Sequence, residues 1–126
     1  MNIPRAFELE VDSVGNIVHL RYFGRVRAAD LAPCVEQVRA ALPSVRAGFT
    51  VLTDLTHLES MELECARHLT TMMDLCGASG IGTAVRVIPD ATKDIGLNIP
   101  SIIHYRGGVR ILTCRTLAEA EAALKG

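Results

Sequence analysis

Apolar and polar residues alternate strictly in the first two apolar runs of the chain. This period predicts two strands that each bury one face. Gly15 and Asn16 lie between the runs and predict an antiparallel hairpin. The alternating apolar positions are Phe7, Leu9, Val11, Val18, Leu20 and Tyr22.

Charge and burial together predict the register of this hairpin. Pairing Glu10 with His19 brings opposite charges together and places Leu9 opposite Leu20. A shift by one residue would mix the buried and exposed faces. We therefore expect Leu9 and Leu20 to be neighbours.

Four later segments have helical features. Residues 28–42 and the range from Met61 to Cys76 repeat apolar side chains at helical spacing, and the second is expected to be capped by Ser60. A less regular helix is predicted from Asp94 to Arg106. Thr116 and Glu119 form a capping box that predicts a short final helix.

Three further apolar runs separate these helices and predict strands. They are Phe49 to Asp54, Thr83 to Ile88 and Val109 to Cys114. The element order is therefore β-β-α-β-α-β-α-β-α, with no linker or repeat. This order predicts a single α/β domain over residues 1–126, in which four helices pack on a five-stranded mixed sheet, parallel except for the N-terminal hairpin.

This pattern resembles the STAS-like family, which is named for sulphate transporters and anti-sigma-factor antagonists and is also called SpoIIAA-like. The resemblance covers nearly the whole chain. It lies in the element order and in the segments Asp54-Leu55-Thr56 leading to Leu58, Val87-Ile88-Pro89-Asp90 followed by Ile95-Gly96-Leu97, and Leu117-Ala118-Glu119-Ala120. It implies a bacterial, non-enzymatic module that regulates by binding proteins.

One departure from the family concerns its regulatory serine. Classical members carry a phosphorylatable serine at the start of the second helix, whereas residues 61–65 here read Met-Glu-Leu-Glu-Cys. The resemblance therefore points to the branch without this switch, for which apolar ligands have been suggested. We expect no phosphorylation here, or phosphorylation confined to Ser60 or Thr56.

Composition narrows the choice of partner. The chain has 13 Lys and Arg residues against 14 Asp and Glu residues, a net charge of −1. Such a balance offers little attraction to a phosphate backbone, so we expect no nucleic acid partner. No apolar run is long enough to span a bilayer, and we expect a cytoplasmic protein.

Candidate chemistry gathers at the predicted carboxyl ends of the strands, where Asp54, His57 and Asp90 would meet. Nothing in the sequence fixes His57 against either carboxylate, and the four cysteines lack the short paired spacings of metal or redox sites. We therefore predict no catalytic residue, no metal and no cofactor.

Two candidate binding surfaces follow from the predicted faces. If every helix covers one face of the sheet, the other exposes a mixed surface suited to a homodimer or a partner protein, although an ordinary solvated face remains an alternative. Its predicted members are Arg21, Arg86, Arg110 and Leu112.

The second candidate surface is internal. The predicted helix at 94–106 has more apolar surface than packing on a sheet requires. This favours, as an alternative function, a carrier or sensor of a small apolar ligand held between sheet and helices. The predicted contacts are Leu69, Met72, Met73, Ile95, Leu97, Ile99 and Ile103.

Overall fold

A computed structural model describes residues 6–89 and 109–125, and its strands form one five-stranded sheet. The strands, in spatial as well as chain order, are β1 (Phe7–Asp12), β2 (Ile17–Val26), β3 (Thr50–Met61), β4 (Thr83–Val87) and β5 (Arg110–Cys114). β1 is antiparallel to β2, and each later pair is parallel. The predicted mixed sheet with an N-terminal hairpin is confirmed.

The hairpin has the predicted register. Leu9 pairs with Leu20, and Glu10 pairs with His19. The ion pair across the hairpin is diagonal, since Arg21 donates to the carboxylate of Glu10 at 3.2 Å. Apolar contacts on one face and charge on the other therefore fix the same alignment.

Three α-helices occur in the described ranges: α1 (Ala28–Ala41), α2 (Cys65–Ala78) and α3 (Leu117–Lys125). A short 3-10 turn, Leu42–Ser44, follows α1. The fourth predicted helix, Asp94 to Arg106, lies outside the described residues. None of the described helices is long and apolar enough to cross a membrane.

The predicted cap of α3 is present in a modified form. The backbone N–H of Glu119 donates to the hydroxyl of Thr116 at 3.1 Å, as expected for an N-cap. The carboxylate of Glu119 accepts from the N–H of Arg115 at 2.9 Å instead of from that of Thr116. The reciprocal bond therefore closes one residue earlier than in the standard capping box.

The helices lie on both faces of the sheet, so the assumption that all of them cover one face is wrong. The main core joins α1 and α2 to one face. A smaller cluster covers the other face, where Ala120 and Leu124 of α3 pack near Leu52, Val85 and Val87. Apolar residues at these strand positions require that second cover, because they would otherwise face water.

β3 is longer than the sequence pattern predicts, and α2 starts later. β3 continues to Met61 because β2 continues beside it, with Phe23 paired to His57 and Val26 to Met61. Ser60 therefore belongs to a strand and does not cap α2, whose N-cap is Glu64 with no side-chain cap bond. The two strands extend as a ribbon beyond the end of β4.

Candidate functional site

The loop between β3 and α2 is tied to the start of α1. The N–H of Glu62 donates to the carbonyl of Val26 at 3.0 Å. The carboxylate of Glu62 accepts from the N–H of Ala28, in the first turn of α1, at 2.9 Å. Because this N–H has no acceptor within its own helix, Glu62 acts as a cap supplied from another element. The loop is therefore held in place at its base.

Leu63 stands at the tip of this anchored loop with its side chain in water. Its residue exposure is 88%. In the described ranges Val14, in the β1–β2 turn, is the other large hydrophobic residue with comparable exposure, at 91%. Sequence reasoning missed Leu63 as a site because it lies between two glutamates in a segment predicted to be helical.

Two depressions lie beside Leu63, which lines both of them. The smaller, of about 120 Å³, is lined by Met61, Cys65, Ala66 and Leu69, and by the loop itself. The larger, of about 390 Å³, lies between the start of α1 and the first turns of α2. A partner that covers Leu63 would thus meet concave surface on either side of it.

Charged residues of both signs lie beside Leu63. Glu64 and Arg67 line the larger depression together with it, and Glu62 and Glu64 are its exposed neighbours in the chain. An apolar centre within a polar, charged rim is the usual composition of a protein–protein contact. The surface formed by Leu63, its two depressions and this rim is called the Leu63 surface below.

Hydroxyl groups near the Leu63 surface are few. Residues 61–65 contain none, and Ser60 lies on the exposed end of β3, paired in register with Arg25. Thr56 lies earlier in β3, and its hydroxyl donates to Oδ1 of Asp54 at 2.5 Å. Of the two expected hydroxyls, the one on Thr56 is therefore already engaged within the strand.

Asp54 and His57 do not form the strand-end site that the sequence suggested. Asp54 is buried inside β3, where it also accepts the N–H of Thr56 at 2.9 Å and so stabilises the irregularity between β2 and β3. His57 is exposed and stacks on Phe23, with 5.8 Å between ring centroids. Asp90 lies outside the described residues. In the described part of the chain, no group of His, Cys, Asp and Glu side chains could hold a metal ion.

The predicted interface of Arg21, Arg86, Arg110 and Leu112 does not exist as one surface. Arg86 is buried on the face that α1 and α2 cover, where its Nη2 donates to the hydroxyl of Thr113 at 2.5 Å. Leu112 packs in the cluster beneath α3. Arg21 binds Glu10, and Arg110 is exposed at the start of β5. The predicted face of Arg86 was wrong because β4 is buried on both faces. Its apolar positions therefore do not mark a single buried side.

Leu69, Met72 and Met73 do come together around a cavity. It has a volume of about 50 Å³ and lies between α2 and the sheet. Tyr22 and Arg86 are among its other lining residues. The remaining predicted contacts, Ile95, Leu97, Ile99 and Ile103, lie outside the described residues.

The cysteines of the helices are packing residues. Cys34, Cys65 and Cys76 are buried, Cys114 is half-buried, and none of the four forms a disulfide. Burial raises the pKa of Cys34 to about 11, although a hydrogen bond with Tyr22 opposes the shift. Burial, with the nearby charge of Glu62, also raises the pKa of Cys65. Raised pKa values disfavour the thiolate that a nucleophile requires.

Known structures match this fold over nearly the full chain. The anti-sigma factor antagonist SpoIIAA in its unphosphorylated form matches with a TM-score of 0.68 at 18% identity, over 96% of this chain and 99% of that one. An uncharacterized Shewanella loihica protein with a SpoIIAA-like fold matches with a TM-score of 0.71 at 10% identity, over 98% of both chains.

A third match comes from Thermotoga maritima. Its putative anti-sigma factor antagonist matches with a TM-score of 0.64 at 16% identity, over 95% of each chain. No protein-family model matches the sequence, and no curated protein matches it. These similarities establish the expected STAS-like, SpoIIAA-like fold.

Proposed function

We propose that this protein is a non-enzymatic regulatory module that acts by binding another protein, and that it binds through the Leu63 surface. The observation that carries the proposal is the exposed side chain of Leu63 on a loop anchored by Glu62. An anchored apolar residue loses little conformational freedom on binding, which favours affinity. Solved anti-sigma factor antagonists with this fold support the choice of a regulatory module.

A catalytic function has less support. Burial raises the pKa of Cys34 and of Cys65, which weakens both as nucleophiles. The carboxylate of Asp54 is used within its own strand, and His57 stacks on Phe23. These side chains have structural partners that account for their positions.

We further propose that binding does not depend on phosphorylation of the Leu63 surface. Residues 61–65 offer no hydroxyl, and the first turn of α1 already receives the carboxylate of Glu62. A phosphate on Ser60 would lie next to Glu59 in sequence and raise the negative charge there. The surface is thus proposed to be competent as synthesised.

The proposed partner is a different protein and not a second copy. The homodimer was expected on a sheet face that included Arg86 and Leu112. Arg86 lies instead on the face that α1 and α2 cover, and Leu112 packs under α3. The Leu63 surface is independent of that face.

Site-specific photo-crosslinking tests the proposal. A photoreactive phenylalanine derivative is placed at Leu63, or at Val14 as the matched exposed control, and the variants are irradiated in the native cell. The proposal expects one dominant protein adduct from position 63 that is absent from position 14. Equal adducts from both positions, or none from position 63, would contradict it.

The cavity beneath α2 favours a second candidate function, the binding of a small apolar ligand. Its flexible methionines adapt to varied shapes. Its volume of about 50 Å³ is far below the roughly 150 Å³ that holds benzene in an engineered core, so a lipid would have to displace α2. Native mass spectrometry of gently purified protein separates the candidates. A bound mass in the lipid range would favour this alternative, and an empty protein would favour the interaction module.

A further inference from the structure

Within residues 6–89 and 109–125, no strand pairs with the backbone groups on the outer edge of β1. β1 is at the edge of the sheet and pairs with β2 alone among the strands of the described ranges. The N–H of Phe23 donates to the carbonyl of Ala6 at 2.9 Å, which makes this a hydrogen-bonded pair. Because such pairs alternate along an antiparallel ladder, the N–H and C=O groups of Phe7, Leu9 and Val11 point away from β2.

Helix α1 forms a wall beside this edge. A groove of about 550 Å³ runs between β1 and α1, where Ala29, Pro33 and Gln37 recur every fourth residue and are exposed. Phe7 and Leu9 contribute half-buried apolar side chains to the same groove. An extended peptide beside β1 would therefore contact backbone on one side and, on the other, side chains of α1 that are uncharged except for Asp30.

The side chains of β1 divide by face into two chemical classes. Phe7 and Leu9 pack towards the core shared with α1 and α2. Glu8 and Glu10 alternate with them and lie on the opposite face, as does Asp12. A strand added to β1 would place its own side chains directly beside each class.

We propose that the groove between β1 and α1 binds an extended segment of a partner protein, which pairs with β1 as a sixth strand and alternates basic with apolar side chains. Basic side chains would meet Glu8, Glu10 and Asp12, and apolar ones would meet the face of Phe7 and Leu9. This is β-strand addition, in which backbone bonds supply affinity and alternate side chains supply specificity. The observations that carry it are separate from those at the Leu63 surface.

Charge decides against a second copy of this chain as the occupant. Antiparallel pairing of two β1 strands about a two-fold axis would keep the same faces together. The acidic residues Glu8, Glu10 and Asp12 of one copy would then lie beside those of the other. Like charges directly opposite one another destabilise strand pairing. Acidic side chains on an edge strand also prevent edge-to-edge aggregation. The edge of β1 therefore disfavours pairing with a second β1 and favours pairing with a basic strand.

The probe is a capped hexapeptide that alternates lysine and valine, titrated into the full-length protein at low salt. Amide hydrogen exchange is followed residue by residue. In the protein alone, the amides of Phe7, Leu9 and Val11 are expected to exchange faster than those of Glu8 and Glu10. When the peptide is added, exchange at the three outward-facing amides is expected to slow, because the added strand accepts hydrogen bonds from these amides or covers them.

Two controls test the chemistry of the groove. A hexapeptide alternating glutamate and valine should bind at least several-fold more weakly. Glu8→Lys should weaken binding of the lysine peptide by roughly threefold to tenfold, since it replaces an attractive cross-strand pair with a repulsive one. Glu121→Lys, the same charge change at an exposed position of α3, should leave binding unchanged. Thermal unfolding of each variant checks that the fold is retained.

Several results would overturn the proposal. They are slow exchange at Phe7, Leu9 and Val11 without peptide, equal binding of the two peptides, or no binding at millimolar concentration. A dimer in sedimentation experiments that is strengthened or abolished by Glu8→Lys would assign the edge to a second copy, and would also overturn it.

Discussion

At the scale of single residues, Cys34 shows how a buried polar group is accommodated in the main core. Its side chain is fully buried on α1, with the hydroxyl of Tyr22 at 3.9 Å and the sulfur of Met72 at 3.7 Å. These contacts link α1 to β2 and to α2. The thiol is neutral in this setting, because burial raises the pKa of Cys34 to about 11.

Because the pKa of Cys34 is raised, we expect the free energy of unfolding to fall as the pH rises in the alkaline range. The folded protein holds the thiol proton more tightly than the unfolded chain. The stability that follows from this difference is complete below the unfolded pKa near 9 and is lost as pH rises towards 11. One such group changes the free energy of unfolding by up to about 1.4 kcal/mol per pH unit. Urea unfolding of the wild type and of Cys34→Ala across this window should show a steeper loss for the wild type. Identical slopes would mean that Cys34 is not the titrating group.

Other residues show which parts of the fold and site could be predicted. The hairpin register followed from Glu10, His19 and the alternating apolar residues, because burial and charge gave the same answer. Arg86 was assigned to the wrong face, since β4 is buried on both sides and alternation carries no information there. Leu63 has no periodic signal at all, because its exposure follows from where α2 begins.

At the scale of secondary structure, the boundary between β3 and α2 depends on contacts distant in sequence. β3 is extended by pairing with β2, and the loop after it is held by Val26 and by the first turn of α1. Local sequence suggested a helix capped by Ser60. The strand continues through Ser60 instead, because β2 supplies backbone partners as far as Met61.

Glu62 gives this boundary a measurable contribution to stability. Glu62→Ala removes the carboxylate that accepts from the N–H of Ala28, and should lower the free energy of unfolding by about 1 kcal/mol, as for other helix caps. Glu64→Ala is the matched control, because it removes the same charge from a side chain that makes no cap bond. Chemical denaturation of both variants measures the difference. An equal loss from the two would show that charge, and not the cap, is responsible.

At the scale of the whole molecule, the sheet separates a large core from a smaller one. α1 and α2 cover one face, and α3 covers part of the other. Both proposed surfaces border the first turn of α1, since Ala28 lines a depression beside Leu63 and Ala29 lines the groove beside β1. The start of α1 is therefore the element that connects them.

The fold itself was the most predictable property of the chain. Nearly all of its strands and helices in the described ranges have clear apolar periods, and their order leaves few topologies. The placement of α3 on the second face was not predictable, because a short helix that follows β5 can pack on either face of the sheet. The binding partner depends on exposed residues. Apolar periodicity predicts which residues are buried and does not predict the roles of exposed ones.

The most direct test of the central claim is the affinity of the crosslinked partner for surface variants of the unphosphorylated protein. Leu63→Asp should weaken binding about tenfold or more, since loss of a central apolar anchor typically costs above about 1.4 kcal/mol. Val14→Asp makes the same change at an equally exposed position and should have no effect. Calorimetric titration of both variants gives the answer. Equal affinity of the wild type and Leu63→Asp, or binding that appears only after phosphorylation, would contradict the account.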